Sequence, residues 1–179
     1  MMKLNEYYKK QLEHDHTREM FETIFDIAKR SEYKNALEIG VAWAISTMAI
    51  LQAGSGKLLS VDKSLYQNTI DQVHEYGLQD RWTYLVRESS CLKELGGQYD
   101  LICIDGDHRY EYVKEDLNNS LKFKPKVIII DDYNHRYNFE EREDQYGVKK
   151  AVDEFVKENN FKLIVHKKAN GIGEVKCEY

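Results

Sequence analysis

The chain has 179 residues, about the length of one domain, and its 42% hydrophobic and 32% charged residues are typical of a globular protein. Its formal net charge of −5 argues against nucleic acid or an anionic membrane as the main partner. No stretch approaches the roughly 18 apolar residues of a membrane span, and the N-terminus lacks the apolar core of a signal peptide. We therefore expect a cytoplasmic protein without nucleic-acid or membrane partners.

The three cysteines agree with that expectation. Cys91, Cys103 and Cys177 are odd in number and irregularly spaced, so they fit neither a disulfide framework nor a zinc pattern. Such a set favours a reducing compartment.

The first thirty residues predict a helix, because apolar residues recur there on one helical face. We expect Thr17 or Asp15 to cap this helix. The cluster His14-Asp15-His16 resembles a metal site, but near an N-terminus it is interpreted as solvated helix surface.

Alternating strands and helices follow. Short apolar runs predict five strands, namely Ala36–Ile39, Leu58–Val61, Trp82–Val86, Leu101–Ile104 and Val127–Ile130. Helical patterns separate them at Thr47–Leu51 and Tyr66–Tyr76, then around Val113 and, after the last of these strands, around Val152. This alternation predicts a mostly parallel sheet whose strands are covered on both faces.

The end of the chain has a different pattern. Two strand-like runs, Phe161–His166 and Ile172–Glu178, are joined by Ala169-Asn170-Gly171, and Asn-Gly between strands predicts a hairpin. The predicted fold is α/β, a Rossmann-like doubly wound sheet, mostly parallel, with an antiparallel C-terminal hairpin strand and N-terminal helices. We expect one domain over residues 1–179, a helical cap at 1–32 and the core at 33–179.

Carboxylates stand at four of the predicted strand ends, and they are Glu38, Asp62, Asp105 and Asp131. Ligands of doubly wound sheets bind outside the carboxyl ends of the strands, so these acids should converge on one rim. A single such acid is commonly a turn former or helix cap, but four in register favour a site.

The first turn narrows the choice of ligand. Asp62 follows Glu38 by 24 residues, as does the ribose-binding acid of nucleotide sites. The turn is not G-x-G-x-x-G, and Trp43 makes it a poor cradle for a pyrophosphate. A nucleoside without phosphates fits better, and S-adenosylmethionine is such a ligand.

Three segments carry a specific resemblance. Glu38-Ile39-Gly40-Val41-Ala42-Trp43-Ala44-Ile45-Ser46 resembles the E-x-G-x-x-x-G-x-S motif of class I S-adenosylmethionine-dependent methyltransferases, with Ala44 in place of the second glycine. Asp105-Gly106-Asp107-His108-Arg109-Tyr110-Glu111 resembles the D-G-D-H-x-Y-E signature of a bacterial O-methyltransferase-like group. Ile130-Asp131-Asp132-Tyr133 and residues 147–155 resemble its closing segment. The likeness covers residues 35–160 and extends to catechol-type and macrolide-sugar O-methyltransferases.

The resemblance implies which residues contact the cofactor. Glu38 and Gly40 would line its methionine and ribose side, Asp62 would hold the ribose hydroxyls, and Ser89 or Ser90 would lie near the adenine. The full implied set is Glu38, Gly40, Ala44, Ser46, Asp62, Ser89, Ser90 and Asp105. For the serine pair, a helix cap is an equally good interpretation.

The resemblance also implies a metal triad of Asp105, Asp131 and Asp132. Carboxylates from two adjacent strand ends suit a hard cation such as Mg²⁺, which would activate a hydroxyl oxygen. The alternative is that Asp131-Asp132 only caps the following loop.

His108, three residues after Asp105, is the candidate base, because imidazole titrates near neutrality and can take a hydroxyl proton. Its alternative is a histidine at a helix N-terminus that bonds a neighbouring carboxylate. Asp105 and His108 are thus the catalytic candidates, and the loop Tyr133–Tyr146 is expected to govern substrate choice.

The leading hypothesis is methyl transfer from S-adenosylmethionine to the hydroxyl oxygen of a small molecule, with assistance from a divalent metal. The alternatives are metal-independent transfer to another atom and a non-catalytic S-adenosylmethionine-binding module. A dinucleotide-dependent oxidoreductase is disfavoured by the missing G-x-G-x-x-G. Related enzymes often self-associate, so a homo-oligomer is possible.

Overall fold

A computed structural model describes residues 12–138 and 146–179 of the chain. Its α-helices are α1 (Asp15–Ser31), α2 (Ile45–Ala53), α3 (Gln67–Glu75), α4 (Tyr110–Ser120) and α5 (Val148–Asn159). The strands are β1 (Asn35–Ile39), β2 (Lys57–Asp62), β3 (Trp82–Val86), β4 (Leu101–Ile104), β5 (Val127–Ile130), β6 (Lys162–His166) and β7 (Ile172–Lys176). Short 3-10 helices lie at Gln79–Arg81, Ser89–Lys93, Leu121–Phe123 and Arg136–Asn138.

The strands form one sheet in the order β3-β2-β1-β4-β5-β7-β6. Strands β1 to β5 run parallel, and β7 pairs antiparallel with both β5 and β6. The predicted Rossmann-like sheet with its antiparallel hairpin is therefore confirmed. Ile39 of β1 lies opposite Val61 of β2 and Ile104 of β4, so the carboxylates that follow these strands reach the same rim.

Helices cover both faces of the sheet. On one face α1 and α2 pack over β1, β2 and β4, with Ile24 and Met48 completely buried. On the other face α4 and α5 pack through residues such as Leu117 and Phe155. The expectation that strands are buried on both faces holds for β1, β4 and β5, whereas β3 is partly exposed because it forms an edge of the sheet.

The N-terminal helix differs from its prediction in one respect. The N-cap is His14, which makes no side-chain capping bond, so the expected cap at Thr17 or Asp15 is wrong. Asp15 is instead the first residue of the helix. Its carboxylate pairs with Arg18, three residues later on the same helical face. Residues 1–11 of the predicted helix lie outside the described residues.

The predicted C-terminal hairpin is present. Ala169, Asn170 and Gly171 adopt left-handed φ angles of 49°, 57° and 84°, as a tight connection between antiparallel strands requires. Among the described helices, none combines the length and apolar character needed to cross a membrane.

Candidate active site

Gly40 joins β1 to the first turn of the site, and only glycine fits there. Its φ is +85°, and a Cβ would lie 2.0 Å from the carbonyl oxygen of Asp105. The turn after β1 and the loop after β4 are thus in backbone contact, which sets the floor of the site.

The same turn closes tightly over the start of α2. The N–H of Ala44 donates a 3.0 Å hydrogen bond to the carbonyl of Val41, and Ala42 and Ala44 have φ angles of 36° and 65°. Left-handed backbone at alanine is strained, which explains why the related motif carries a second glycine. Ala44 is completely buried, and its methyl group packs in the core beside α1 and α2.

Glu38 lies beneath this turn with 0% exposure. Its carboxyl group accepts hydrogen bonds from the hydroxyls of Thr47 and Ser60. Burial raises the pKa of Glu38 to about 7, although hydrogen bonds from Ser46, Ser60 and Thr47 work in the opposite direction. The resemblance implied that Glu38 lines the cofactor; in the structure its carboxyl group is fully buried and bonds to Thr47 of α2 and Ser60 of β2.

A first cleft of about 410 Å³ opens above the rim between β1, β2 and β4. Asp62 lines it and fixes its wall, because Oδ2 accepts a 2.8 Å bond from the N–H of Val41 and Oδ1 a 2.9 Å bond from that of Ser64. Of the sequence-predicted cofactor residues, the cleft brings together Gly40, Asp62, Ser89 and Asp105.

Ser89 and Ser90 separate in the structure. Ser89 lines the first cleft, whereas Ser90 is exposed and lines neither cleft described here. Neither is a helix cap, since the N-cap of that 3-10 helix is Glu88.

The first cleft also contains Asp116 of α4, a buried carboxylic acid that sequence reasoning missed. The available signal was periodicity, because Asp116 lies three residues after Val113 on the buried face of α4.

A second cleft of about 370 Å³ adjoins the first. Ala42, Asp105 and Gly106 line both clefts. The second cleft is further lined by α1 through His16, Thr17 and Met20, by the first turn and Ser46, and by His108, Asp131 and Asp132. The sequence did not predict that α1 would contribute, because nothing in its periodicity shows which end of the sheet it meets.

Asp105, His108 and Asp131 form an acidic cluster with one ligand atom from each residue, all within 4.8 Å of one another. Among the described residues, neither Oδ1 of Asp131 nor Nε2 of His108 has a hydrogen-bond partner, although both atoms are buried. Burial raises the pKa of Asp131 well above its ordinary value, and the nearby charges of Asp105 and Asp132 act in the same direction. Burial likewise raises the pKa of Asp105.

His108 lies between two carboxylates. Its Nε2 is 3.7 Å from Oδ1 of Asp105 and 3.7 Å from Oδ2 of Asp132. Burial disfavours the charged imidazolium, but the attraction of Asp105, followed by that of Asp132 and Asp107, outweighs it and raises the pKa of His108. The predicted proximity of the base and the acids is thus present.

Asp132 is turned partly away from the cluster. Its φ of 57° directs the side chain toward the hairpin, where Oδ1 accepts a 3.1 Å bond from Asn170 and Oδ2 accepts a bond from the Tyr146 hydroxyl. The predicted triad was Asp105, Asp131 and Asp132. In the structure, the three residues whose ligand atoms lie within 4.8 Å of one another are Asp105, Asp131 and His108. Among residues 133–138 and 146 of the following loop, the side chain of Asp132 bonds only the Tyr146 hydroxyl, not a backbone N–H.

Aromatic rings cover the cluster from one side. The ring of Tyr146 stacks on His108 with centroids 5.1 Å apart and planes 6° apart, and His135 lies 4.7 Å from Tyr146. Tyr133 is buried, and its N–H donates a 2.7 Å bond to Gly171. Residues 139–145 of the loop expected to govern substrate choice lie outside the described residues.

Comparison with known proteins agrees with this arrangement. A family model described as a methyltransferase domain matches residues 37–133, more than half of the chain. No curated protein matches the sequence.

Solved structures share the fold. TomG from Streptomyces achromogenes, an O-methyltransferase involved in tomaymycin synthesis and solved with S-adenosylmethionine, is 15% identical with a TM-score of 0.75, over 100% of this chain and 92% of that one. The Bacillus cereus O-methyltransferase in complex with S-adenosylhomocysteine is 14% identical with a TM-score of 0.70, over 88% and 80%. The methyltransferase PaMTH1 of Podospora anserina, bound to S-adenosylhomocysteine, is 17% identical with a TM-score of 0.66, over 100% and 99%.

At these identities the structural matches establish the fold, and the family model establishes the family. The matched residues begin at Leu37 within β1 and include the first turn, β2, β4 and the Asp131-Asp132 pair after β5. The family expected from the motifs is thus confirmed, and the chain belongs to the methyltransferase-domain family.

Proposed function

We propose that the protein transfers a methyl group from S-adenosylmethionine to a hydroxyl oxygen of a small molecule, with help from a divalent cation. The observation that carries this proposal is the pair of adjoining clefts with a common wall at Ala42, Asp105 and Gly106. A methyl donor in one cleft and an acceptor in the other would meet at that wall.

The first cleft suits the methyl donor. Its volume of about 410 Å³ lies in the range of small-molecule sites. Asp62 stands at the end of β2, where an acid binds ribose hydroxyls in nucleotide-binding sheets. The proposed cofactor residues are Gly40, Asp62, Ser89 and Asp105, and the solved relatives bound to S-adenosylmethionine or S-adenosylhomocysteine support this choice of ligand.

The residues of the acidic cluster fit a hard cation. Asp105 and Asp131 supply carboxylate oxygens from adjacent strand ends, and Oδ1 of Asp131 is buried without a hydrogen-bond partner among the described residues. An unpartnered buried carboxylate oxygen is costly unless a ligand satisfies it. A Mg²⁺ ion bound there would stabilise the developing negative charge on an acceptor oxygen.

Beside Asp105 and Asp131, either His108 or Asp132 could supply the third protein ligand of the cation. His108 is near enough to be a ligand, and Oδ2 of Asp132 is 3.7 Å from its Nε2. We assign Asp132 to the metal and His108 to the substrate proton, because imidazole can accept a proton near neutral pH. Nε2 of His108 would accept the proton of the acceptor hydroxyl as its oxygen bonds the methyl carbon, and the donor's sulfur would keep the electron pair of the broken bond.

The second cleft suits the acceptor. Its volume of about 370 Å³ holds a small molecule and not a macromolecular chain. His16 and Thr17 of α1 line the same cleft as the acidic cluster, and their polar groups would contact the acceptor away from its reacting oxygen. A small hydroxylated metabolite fits this lining.

The test is transfer of labelled methyl from S-adenosylmethionine to a panel of hydroxylated small molecules, detected by mass spectrometry. We expect labelled product with Mg²⁺, loss of most turnover in chelator, and the same loss in Asp131→Asn. The matched control is Asp71→Asn, which changes an exposed carboxylate on α3 outside both clefts.

The outcomes separate the alternatives. Full activity in chelator would remove the metal from the mechanism and leave metal-independent transfer. Binding of the methyl donor without transfer to any acceptor class would favour a non-catalytic binding module.

A further inference from the structure

Hydrogen bonds at Nε2 do not account for the orientation of the His108 imidazole. Nε2 is 3.7 Å from a carboxylate oxygen of Asp105 and 3.7 Å from one of Asp132, and both distances exceed that of a hydrogen bond. Within the described part of the chain, this buried nitrogen has no hydrogen-bond partner. A base works only when it points at the proton that it takes, so another contact has to orient the ring.

That contact is a stack on the ring of Tyr146. The centroids of the two rings are 5.1 Å apart, and their planes differ by only 6°. Parallel rings at this separation form an offset stack, a favoured geometry that resists rotation of either ring. The stack leaves Nε2 of His108 facing the acidic cluster.

Tyr146 is itself held by its neighbours. Its hydroxyl donates a hydrogen bond to Oδ2 of Asp132. A second imidazole, that of His135, lies 4.7 Å from the Tyr146 ring, with the two planes 30° apart. The tyrosine ring therefore cannot turn away from His108 without losing several contacts together.

The backbone beside Tyr146 sets its distance from His108. The N–H of Gly147 donates a 2.8 Å hydrogen bond to the carbonyl of His108. A Cβ built at Gly147 would lie 2.5 Å from the Cβ of Tyr110, so glycine permits this close approach. The segment of Tyr146 is thus joined directly to the segment that carries the candidate base.

We propose that Tyr146 is a positioning residue for methyl transfer, and that its ring holds the imidazole of His108 in the plane that aims Nε2 at the acceptor hydroxyl. This inference rests on the proposed function, in which His108 takes the proton of that hydroxyl. The ring and the hydroxyl of Tyr146 have separate tasks, since the ring contacts His108 and the hydroxyl bonds Asp132. Tyr146 lines neither of the two clefts, so it acts through His108 and not on the substrate.

The experiment compares Tyr146→Leu, which removes the ring, with Tyr146→Phe, which keeps the ring and removes the hydroxyl. Rates are measured at saturating Mg²⁺ with an acceptor found in the methyl-transfer screen. Tyr146→Leu should lower kcat by about tenfold to a hundredfold, the range for a displaced catalytic group, and leave KM for S-adenosylmethionine unchanged. Tyr146→Phe should recover most of that loss.

A second measurement needs no turnover. Two-dimensional ¹H–¹³C spectra record the imidazole C–H signals of His108, which are identified by their disappearance in His108→Ala. The ring current of Tyr146 acts on these signals, so they should move in Tyr146→Leu and stay close to their original position in Tyr146→Phe. All spectra are taken at one alkaline pH, so that the imidazole is neutral in every sample.

The matched control is Tyr179→Leu, because this tyrosine is 69% exposed and lines neither cleft. It should change neither kcat nor the His108 signals. Calorimetry with S-adenosylhomocysteine counts the binding sites in each preparation, so a partly unfolded variant is not mistaken for a slow one.

The possible failures are distinguishable. Equal losses of kcat in Tyr146→Leu and Tyr146→Phe, or no loss in Tyr146→Leu, would overturn the role of the ring while the proposed function stands. His108 signals that do not move in Tyr146→Leu would overturn it as well. Absence of methyl transfer from the unaltered protein to every acceptor would overturn the proposed function itself, and the spectra would still test the stack.

Discussion

The Cα of Gly40 faces the main-chain carbonyl of Asp105 so closely that a Cβ there would lie 2.0 Å from the oxygen. This contact joins the loop after β1 to the loop after β4, and both clefts of the candidate site meet at it. The site is therefore held by backbone packing as well as by its side chains.

Replacing Gly40 by alanine should destabilise the protein by at least about 2 kcal/mol, because a left-handed φ and a backbone clash act together. Urea unfolding measures this. The control is Gly77→Ala, at a φ of +66° with no atom within 4 Å of the added Cβ, which should show the conformational cost alone. Equal losses in the two variants would contradict the contact.

Replacing Ala44 by glycine should change the stability little. The variant removes a left-handed alanine, a gain of about 1–2 kcal/mol, but also a buried methyl group, a loss of about 0.8 kcal/mol. Ala49→Gly, at a buried position inside α2, should lose about 1–2 kcal/mol, since it combines lost burial with poor helix propensity. If both variants lost the same stability, the strain at Ala44 would be disproved.

Glu38 makes stability depend on pH. Its pKa is about 7 in the folded protein against an ordinary 4.5, because it is buried. The folded state thus holds more protons than the unfolded state in that window, and the free energy of unfolding falls as pH rises through it, by about 3 kcal/mol.

Glu38→Gln should remove that dependence, so the variant gains stability relative to the unaltered protein between pH 5 and pH 8. Urea titrations at several pH values provide the comparison. Glu115→Gln, at a partly exposed acid paired with Lys93, serves as the control and should run parallel to the unaltered protein. A Glu38→Gln profile that is also parallel would show that Glu38 titrates normally.

His108→Ala should lower the rate of methyl transfer by about 10²–10⁴, the usual span for lost general-base help, and leave metal affinity unchanged. Rates and Mg²⁺ titrations on the same preparation separate the two roles. His74→Ala on the exposed surface of α3 is the matched control. A large loss of metal affinity in His108→Ala would make His108 a ligand and leave the base to another residue.

Most of the fold could be predicted from the sequence, because parallel strands that are buried on both faces appear as short continuous apolar runs. Trp82–Val86, Leu101–Ile104 and Val127–Ile130 have their predicted bounds, and the others differ at the ends. The cap of α1 could not be predicted, because Asp15 and Thr17 are both good capping residues, whereas the helix begins at Asp15 after His14, an N-cap that makes no side-chain capping bond.

The site was predicted less completely, and the reasons are local. Asp132 has a left-handed φ that turns its carboxylate toward Tyr146 and Asn170. The backbone angle of a single loop residue cannot be predicted from the sequence. Glu38 is placed by its register against Ser60 on the neighbouring strand, a pairing visible only once the sheet is assembled. Asp116 stands in a charged stretch that hydropathy alone assigns to solvent.

The measurement that tests the central claim most directly is titration calorimetry with S-adenosylhomocysteine and with NAD, since it needs no acceptor. We expect S-adenosylhomocysteine to bind and Asp62→Ala to weaken that binding by about 1–3 kcal/mol, the cost of leaving polar partners unpaired. Thermal unfolding of the variant checks that the loss is not global, because Asp62 also bonds the N–H of Val41. Preference for NAD over S-adenosylhomocysteine would contradict the account.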